Sequence, residues 1–550
     1  MTIIALIPIA AVIVLLVVMN MPAKKVMPIA WIICVTLTIF LWKMTFRDAM
    51  AYSVYGALKG FETLVTILGA VLLLNTLQCS GGMGVISRSL TSVSSDRRIQ
   101  AIIIGWMFNS FIEGAAGFGT PAALAAPLLV GMGFPALAAA MFTLICNSTA
   151  VAFGVVGVPT LTALSQVEDQ VNASGLNVAV FNMQTIRLVS IMHGLVGLLI
   201  PFIALCMLTR FFGKEKSIRP AVQVLPFAVF AGASFTIPSV LLAFLFGAEF
   251  PSLGGALIGL CITVTAARKH FLTPKQNWDF PQKNQWASDW NGMAIDSNKV
   301  SSSTHISSLL AWVPYGLITI ILVVTRIPAL GLTDIVKGIT IDFNNLLGVE
   351  GLNYSLQYLW LPGSVFIIIA IVTMLLHKMT FASIKNTFVI TGKQVYSAVI
   401  AMLFGVALVQ LMLNSDVNQA GMDGMMTMIA TSAANIFQST YVAISPMIGI
   451  LGAFISGSNT VSNMLFASMQ FETAQLLGLS PILIVALQCI GGGVGNMICI
   501  NNVVAVCSTV GVKNCEGKLV KKNLIPCFIY CILIVLIAIL LICVGGLGLF

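Results

Sequence analysis

Charge is what this sequence has least of. Asp, Glu, Lys and Arg make up 8% of its 550 residues and apolar types 58%, whereas a soluble domain carries about 25% charged residues. So few charges cannot clothe a water-soluble surface of this size, and the remaining solvent must be lipid. Other absences exclude other functions. The 12 cysteines lie scattered in apolar runs without a C-x-x-C pair and read as small buried hydrophobes. The four histidines, His193, His270, His305 and His377, form no ligand-spaced cluster, so no metal site is indicated. No Ser/His/Asp set and no cofactor motif stands out. Gly491–Gly495 follows an apolar span and not a strand, so it does not read as a phosphate loop. An enzyme is therefore the weakest reading. The net charge of +9 lies mostly in loops, where it fits membrane orientation. No basic stripe or aromatic platform points to nucleic acid.

What is present is apolar length. A span needs roughly 20 apolar residues, and the segments near 3–19, 27–42, 50–79, 135–158, 186–211, 220–246, 251–269, 305–328, 362–377, 383–412, 482–510 and 523–545 qualify as candidates. Continuous runs exclude the alternation of a membrane barrel, and in lipid the other self-satisfying backbone is the helix. The expected fold is an all-α polytopic membrane protein of about 12 transmembrane helices. Two further stretches, 99–132 and 437–476, are broken by polar and small residues and read as re-entrant hairpins. The first segment has no basic residue before it and no small-residue cleavage site after it, so it reads as a retained helix.

The chain also repeats itself. Met44-Thr45-Phe46 recurs as Met379-Thr380-Phe381, and Gly82-Met83-Gly84 as Gly421-Met422-Asp423-Gly424. Phe111-Ile112-Glu113-Gly114 recurs as Phe454-Ile455-Ser456-Gly457, and Pro135 as Pro481, all at offsets of about 335 to 346 residues. This divides the chain into two N-terminal helices (1–43), a first repeat (44–160), central helices with a polar loop at 270–304 (161–378), a second repeat (379–512) and a last helix (513–550). Basic loops face inward. Arg210, Lys214, Lys216 and Arg219 mark one such loop, Arg268, Lys269, Lys275 and Lys283 another, and Lys513, Lys518, Lys521 and Lys522 a third. Glu168, Asp169, Asp334, Asp342 and Glu350 then fall outside. Both termini come out on the outer side, and the repeats are inverted if each hairpin enters and leaves on one side. Lys43 and Arg47 are a mild violation. Secondary transporters are often built this way, with substrate held near the midplane.

The chemistry is expected at the breaks. In FNSFIEGAAGFGTPAALAAP, residues 108–127, Gly114, Gly117, Gly119 and Pro121 interrupt any helix. Such backbone is tolerated in lipid only if protein buries it or it lines a watery cavity. The second break, FISGSNTVSN at 454–463, is crowded with hydroxyls and amides. Each hairpin precedes a helix with its own interruption, Asn147-Ser148-Thr149 in one case and Gly491–Gly495 with Asn496, Asn501 and Asn502 in the other. Four interruptions brought together would gather helix N-termini and free amides around an anion. The alternative reading of the glycines is helix packing. Glu113 is the sole acid in either broken segment, and a carboxylate there costs at least ~2.5 kcal/mol unless it is neutralised or solvated. That suits it to carry a proton, with a helix-cap role as the alternative. Lys59 and Glu62 lie one turn apart and are expected to pair in place.

At these residues a family becomes recognisable. The stretch GWMFNSFIEGAAGFGTPAALAAPLLVGMGFPALAAAMFTLICNSTAVAFGVVGVPT, 105–160, together with GAFISGSNTVSNMLFASMQ and IGGGVGNMICINNVVAVCSTVG, resembles the bacterial L-lactate permease family. The resemblance runs through essentially the whole chain. It implies uptake of L-lactate, often also D-lactate and glycolate, together with protons, in a bacterial inner membrane. It also implies kinship to larger carriers that bind carboxylate and cation with Ser-Asn-Thr motifs at hairpin tips. Ser458-Asn459-Thr460 matches that motif, while the first hairpin has Glu113-Gly114-Ala115 in its place. The expected substrate contacts are Gly114, Thr120, Asn147, Ser148, Thr149, Ser456, Ser458, Asn459, Thr460 and Asn496, with Glu113 and then Glu62 as proton carriers. A sodium-coupled or dicarboxylate carrier of the same architecture, or an anion channel, remains open. No cofactor is implied, and the partners are a small hydroxymonocarboxylate, protons and the lipid bilayer. A homo-oligomer is compatible with this reading.

Overall fold

In the computed structural model the described residues are all but 16–18, 20, 22, 92, 118–119, 293–305, 327–329, 513–514 and 545–550. Gly119, His305 and Lys513, among the residues singled out above, lie outside them. The architecture is helical, as the need of lipid-embedded backbone to pair within its own segment requires. The repeated Met-Thr-Phe motif has a local role in both copies. Thr45 caps the helix Phe46–Ser80 by accepting from Asp48 N at 3.1 Å. Thr380 caps the helix Phe381–Leu413 by accepting from Ser383 N at 3.3 Å. Each hydroxyl satisfies one of the N–H groups that a helix start leaves without an intrahelical partner.

These two long helices pack against each other closely enough to need glycine. A Cβ on Gly56 would sit 2.7 Å from both Ala407 Cα and Val406 O. Lower down, buried Asn75 donates to Thr391 Oγ1 at 3.0 Å and to Gln394 Oε1 at 2.8 Å. The contact thus combines close backbone approach with interhelical polar bonds, the two devices that hold helices together where lipid removes the hydrophobic drive.

Among the described residues, eight helices are long and apolar enough to cross a bilayer, or nine if the pair Ala136–Val151 and Gly154–Ala173, bent by 53°, is one span. The count falls below twelve because apolar composition does not record where a helix breaks. The run 482–510 divides into Pro481–Gly495 and Ile500–Thr509, and the first segment into Thr2–Ala5 and Ile7–Ile13. Ser308–Leu322 and Pro362–Leu376 are apolar but shorter. The all-helical expectation also needs one addition. Ile341–Phe343 and Tyr354–Leu356 form an antiparallel pair, with Phe343 opposite Tyr354.

Both broken stretches fold back on themselves. In the first, a π-helical segment Ala101–Phe108 continues into Asn109–Ala115, and Thr120–Gly131 returns. The legs face each other where a Cβ on Gly105 would lie 3.3 Å from Leu129 Cδ1. In the second, Tyr441–Ser456 leads through left-handed Gly457 into Asn459–Leu476, and Ser462 Oγ donates across the legs to Gly449 O at 2.9 Å. The buried apolar side chains form two clusters. One surrounds the first hairpin and the helices that follow both hairpins. The other joins Ala23–Phe40, parts of the long pair and the return leg Asn459–Leu476. The polar segment 270–292 is pinned to the mouth of the first hairpin. Trp278 N donates to Asp96 Oδ2 at 3.2 Å, and the buried Asp96–Arg98 pair at 2.6 Å sits beneath it.

The close approach at Gly56 has a measurable consequence. Gly56→Ala should destabilise the detergent-purified protein by about 1–3 kcal/mol, because backbone must shift to make room. Gly392→Ala, with nothing within 4 Å of the new Cβ, should instead stabilise by about 0.5–1 kcal/mol. Thermal denaturation of the two variants reads both signs.

Candidate functional site

A small cavity of about 20 Å³ is lined by Glu113, Val151, Val155, Pro159, Gly457, Ser458, Asn459, Thr460 and Asn496. These residues come from the first hairpin, the bend after Asn147-Ser148-Thr149, the tip of the second hairpin and the break after Gly491–Gly495. All four interruptions therefore meet at one place. Each break leaves backbone N–H or C=O groups without helical partners, and burial at a common polar cavity is how a membrane protein accommodates them.

On the first side, Glu113 is 3% exposed and its Oε2 accepts from Asn147 Nδ2 at 2.9 Å. A Cβ on Gly154 would run into the Glu113 carboxyl, so the glycine makes its berth. Beyond Gly154 three residues in a row are left-handed, Val155 (φ 45°), Val156 (φ 54°) and Gly157 (φ 83°). For the two β-branched valines this costs of order 1–3 kcal/mol each, a kind of strain that clusters at functional sites. Pro159 has no N–H to offer a preceding carbonyl. Thr160 bridges the bend instead, its Oγ1 donating to Ala152 O at 2.7 Å.

On the second side, Gly457 (φ 80°) makes the turn and Ser458 caps the next helix by accepting from Val461 N at 3.4 Å. That helix runs 18 residues, and its N-terminus, with unpartnered N–H groups and partial positive charge, forms part of the cavity wall. Asn459 Nδ2 donates to Cys489 O at 3.3 Å, and its buried Oδ1 has no hydrogen-bond partner among the described residues. Gly492 leaves room for that oxygen, since a Cβ there would strike it. Asn496 Oδ1 accepts from Asn502 Nδ2 at 2.8 Å. Asn463 ties the halves together, its Nδ2 donating to Pro159 O at 2.9 Å. Among the described residues the lining carries one carboxyl and no Lys, Arg or His.

Of the residues singled out from sequence, Glu113, Ser458, Asn459, Thr460 and Asn496 line the cavity, and Asn147 reaches it through Glu113. The others do not. Gly114 packs so tightly on Leu253 that a Cβ would strike its backbone. Ser148 Oγ donates to Ile145 O at 2.8 Å, and Ser456 Oγ to Gly452 O at 2.6 Å. Thr149 Oγ1 accepts from Trp106 Nε1 at 3.1 Å. These hydroxyls are taken by the helices that bury them. Thr120 opens the helix Thr120–Gly131, and its side chain lies outside the described residues. Glu62 lines a separate opening of about 410 Å³. Its expected partner Lys59 instead reaches across to Asp169 Oδ2 at 3.0 Å. One-turn spacing on a helix made Glu62 a neighbour of Lys59, but tertiary packing supplied a different acid. Val151, Val155, Pro159 and Gly457 went unnoticed as lining. The signal for the first three was the run of breakers Gly154, Gly157 and Pro159 downstream of the first polar interruption.

The bond between Asn147 and Glu113 can be weighed before any ligand is considered. Asn147→Leu leaves a buried carboxyl without its donor and should cost about 1–3 kcal/mol of stability. The same change in a Glu113→Leu background should cost much less, because both partners are then apolar. Thermal denaturation of the four proteins in the cycle measures the difference.

Comparison with known proteins follows the same outline. The chain is 33% identical over 515 residues to a Haemophilus influenzae protein whose name carries the words L-lactate permease, covering 89% of each chain. It is 28% identical over 557 residues to the glycolate permease GlcA of Escherichia coli, covering 95% of this chain and 93% of that one. Among solved structures, the YdaH transporter of Alcanivorax borkumensis superposes with a TM-score of 0.41 at 14% identity, over 88% of this chain and 86% of that one. The family model for L-lactate permease matches residues 1–545, and the chain belongs to that family.

Proposed function

We propose that this chain imports L-lactate by proton symport, with D-lactate and glycolate as further substrates, across a bacterial inner membrane. The observation that carries the reading is the meeting of Glu113 with Ser458, Asn459 and Thr460 at one cavity. A helix N-terminus, hydroxyls and amides suit the carboxylate and hydroxyl of a small 2-hydroxy acid. Among the described residues the cavity is lined by a single titratable group, Glu113. An ionised Glu113 about 4 Å from the substrate carboxylate would oppose binding by about 4 kcal/mol at an effective dielectric constant of about 20, a factor of roughly 10³ in affinity. A protonated Glu113 removes that term, so proton and anion bind together and coupling follows from electrostatics. At about 20 Å³ the cavity has room for about one water, so admission of a three-carbon acid requires its walls to part. The two sides of the cavity come from segments 44–160 and 379–512, which we read as repeats of opposite orientation, with both termini outside. The relatives' names support lactate and glycolate.

The test is substrate-induced alkalinisation in sodium-free buffer, with purified protein in proteoliposomes and lactate, glycolate and succinate compared. Lactate and glycolate should carry protons and succinate should not. A requirement for sodium would move the coupling ion elsewhere. Glu113→Gln mimics the protonated state, so lactate–lactate exchange should survive without its pH dependence while proton-driven accumulation is lost. Normal accumulation by that variant would make Glu113 a structural cap, with Glu62 the next candidate. Asn459→Ala should weaken lactate binding about tenfold or more in protein that remains folded, and unchanged affinity would reduce the Ser-Asn-Thr cluster to packing.

A further inference from the structure

A second opening lies above the cavity just described, between the helices Phe46–Ser80 and Gly154–Ala173 and beside the strand residue Tyr354. At about 410 Å³ it is some twenty times larger than the inner cavity. The two share a wall. Val158, Leu161 and Thr162 line the outer space, while Val155 and Pro159 of the same helix line the inner one. The helix Gly154–Ala173 thus runs from the Glu168–Asp169 end of the outer space to the wall of the inner cavity.

Among the described residues one cation lines the outer space, Lys59. Its side chain is 9% exposed and its Nζ lies 4.7 Å from the centroid of the Tyr55 ring. The ammonium is thus largely out of solvent and stacks on a ring of its own helix. Its partner differs. Asp169 contacts it at 3.0 Å but is itself 42% exposed, near the end of Gly154–Ala173. A desolvated ammonium facing an exposed carboxylate is a place where one carboxylate can be exchanged for another. Hydroxyl and amide groups of Thr162, Ser165 and Gln357 stand around it.

We propose that this outer space is a transit site for the substrate anion, in which the incoming monocarboxylate replaces Asp169 on Lys59 before moving inward to Glu113. The inference rests on the transport reading above and adds a site to it. Glu62 and Glu168 line the same space and repel an anion, so the site is weak. Weak binding is what a transit site requires, because an anion held tightly there would not go on. The exchange also unties the two helices. Lys59–Asp169 joins Phe46–Ser80 to the helix whose bend lines the inner cavity, so anion arrival loosens the wall that must part.

The roles assigned to the two partners have opposite consequences, which a merely structural ion pair does not share. With initial rates of lactate uptake measured in proteoliposomes at fixed pH, Lys59→Gln should raise KM about fivefold or more and change Vmax less than twofold. Asp169→Asn removes the competing carboxylate charge and should lower KM. If both variants shift KM in the same direction, the pair is structural and the inference is overturned. An unchanged KM in Lys59→Gln overturns it equally. Should Lys59→Gln fail to fold, Asp169→Asn decides alone, since a KM that does not fall is fatal. Wild-type protein that takes up no lactate at all defeats the transport reading and this inference with it. Normal wild-type uptake with parallel variants defeats this inference only.

Discussion

The structure depends on one constraint. A backbone that breaks its helix inside lipid must find protein or a polar cavity for the groups it exposes. Among the described residues four such breaks come together, at the tips of two hairpins and in the helices that follow them. Breaks scattered over the molecule would each need separate burial. Gathered together they share one cavity, which collects the groups that make them costly in lipid. The left-handed run Val155–Gly157 and the left-handed Gly457 are the local means of turning the chain toward that point.

The two sides of the cavity are not equivalent. The second hairpin supplies neutral groups, Ser458, Asn459 and Thr460, at the start of an 18-residue helix. The first supplies a carboxyl, Glu113, held by Asn147 at 2.9 Å. A negative group and the positive end of a helix dipole thus face one small space, and the charge of the first depends on a proton. Asn463 keeps the sides in register, its amide donating to Pro159 O while Gln488 Nε2 donates to its Oδ1 at 3.3 Å. Such fully buried polar chains set a unique arrangement because each member left unpaired would be costly.

Packing around the site follows from the same need. The first hairpin is buried along 101–117, shielded by Pro251–Arg268 where Gly114 meets Leu253 and by the helix carrying Asn147. The pair Phe46–Ser80 and Phe381–Leu413, joined through Gly56 and Asn75, packs on Gly154–Ala173 and Asn459–Leu476. Lys59 projects from this pair toward Asp169 on the bent helix, so the ion pair links the long pair to the wall of the cavity.

Much of this was legible in order along the chain and little of it across the chain. Charge content and the length of apolar runs determined a helical membrane protein, because few alternatives satisfy backbone in lipid. Glycine, proline and polar clusters inside apolar runs marked the breaks, because those residues cannot continue a helix without cost. Glu113 and Ser458-Asn459-Thr460 stood out for the same reason, as polar groups where polar groups are expensive. Tertiary structure alone decided which of these meet. Ser148, Thr149 and Ser456 had the right chemistry and the right neighbourhood, yet their hydroxyls are bound by the surrounding helices. Val155 and Pro159, with nothing chemical to recommend them, form the wall. Lys59 had an acid one turn away and took another, 110 residues on. Local sequence sets which conformations a segment can adopt, whereas a side chain's partner is set by helices packing from distant parts of the chain, and no spacing rule carries that information.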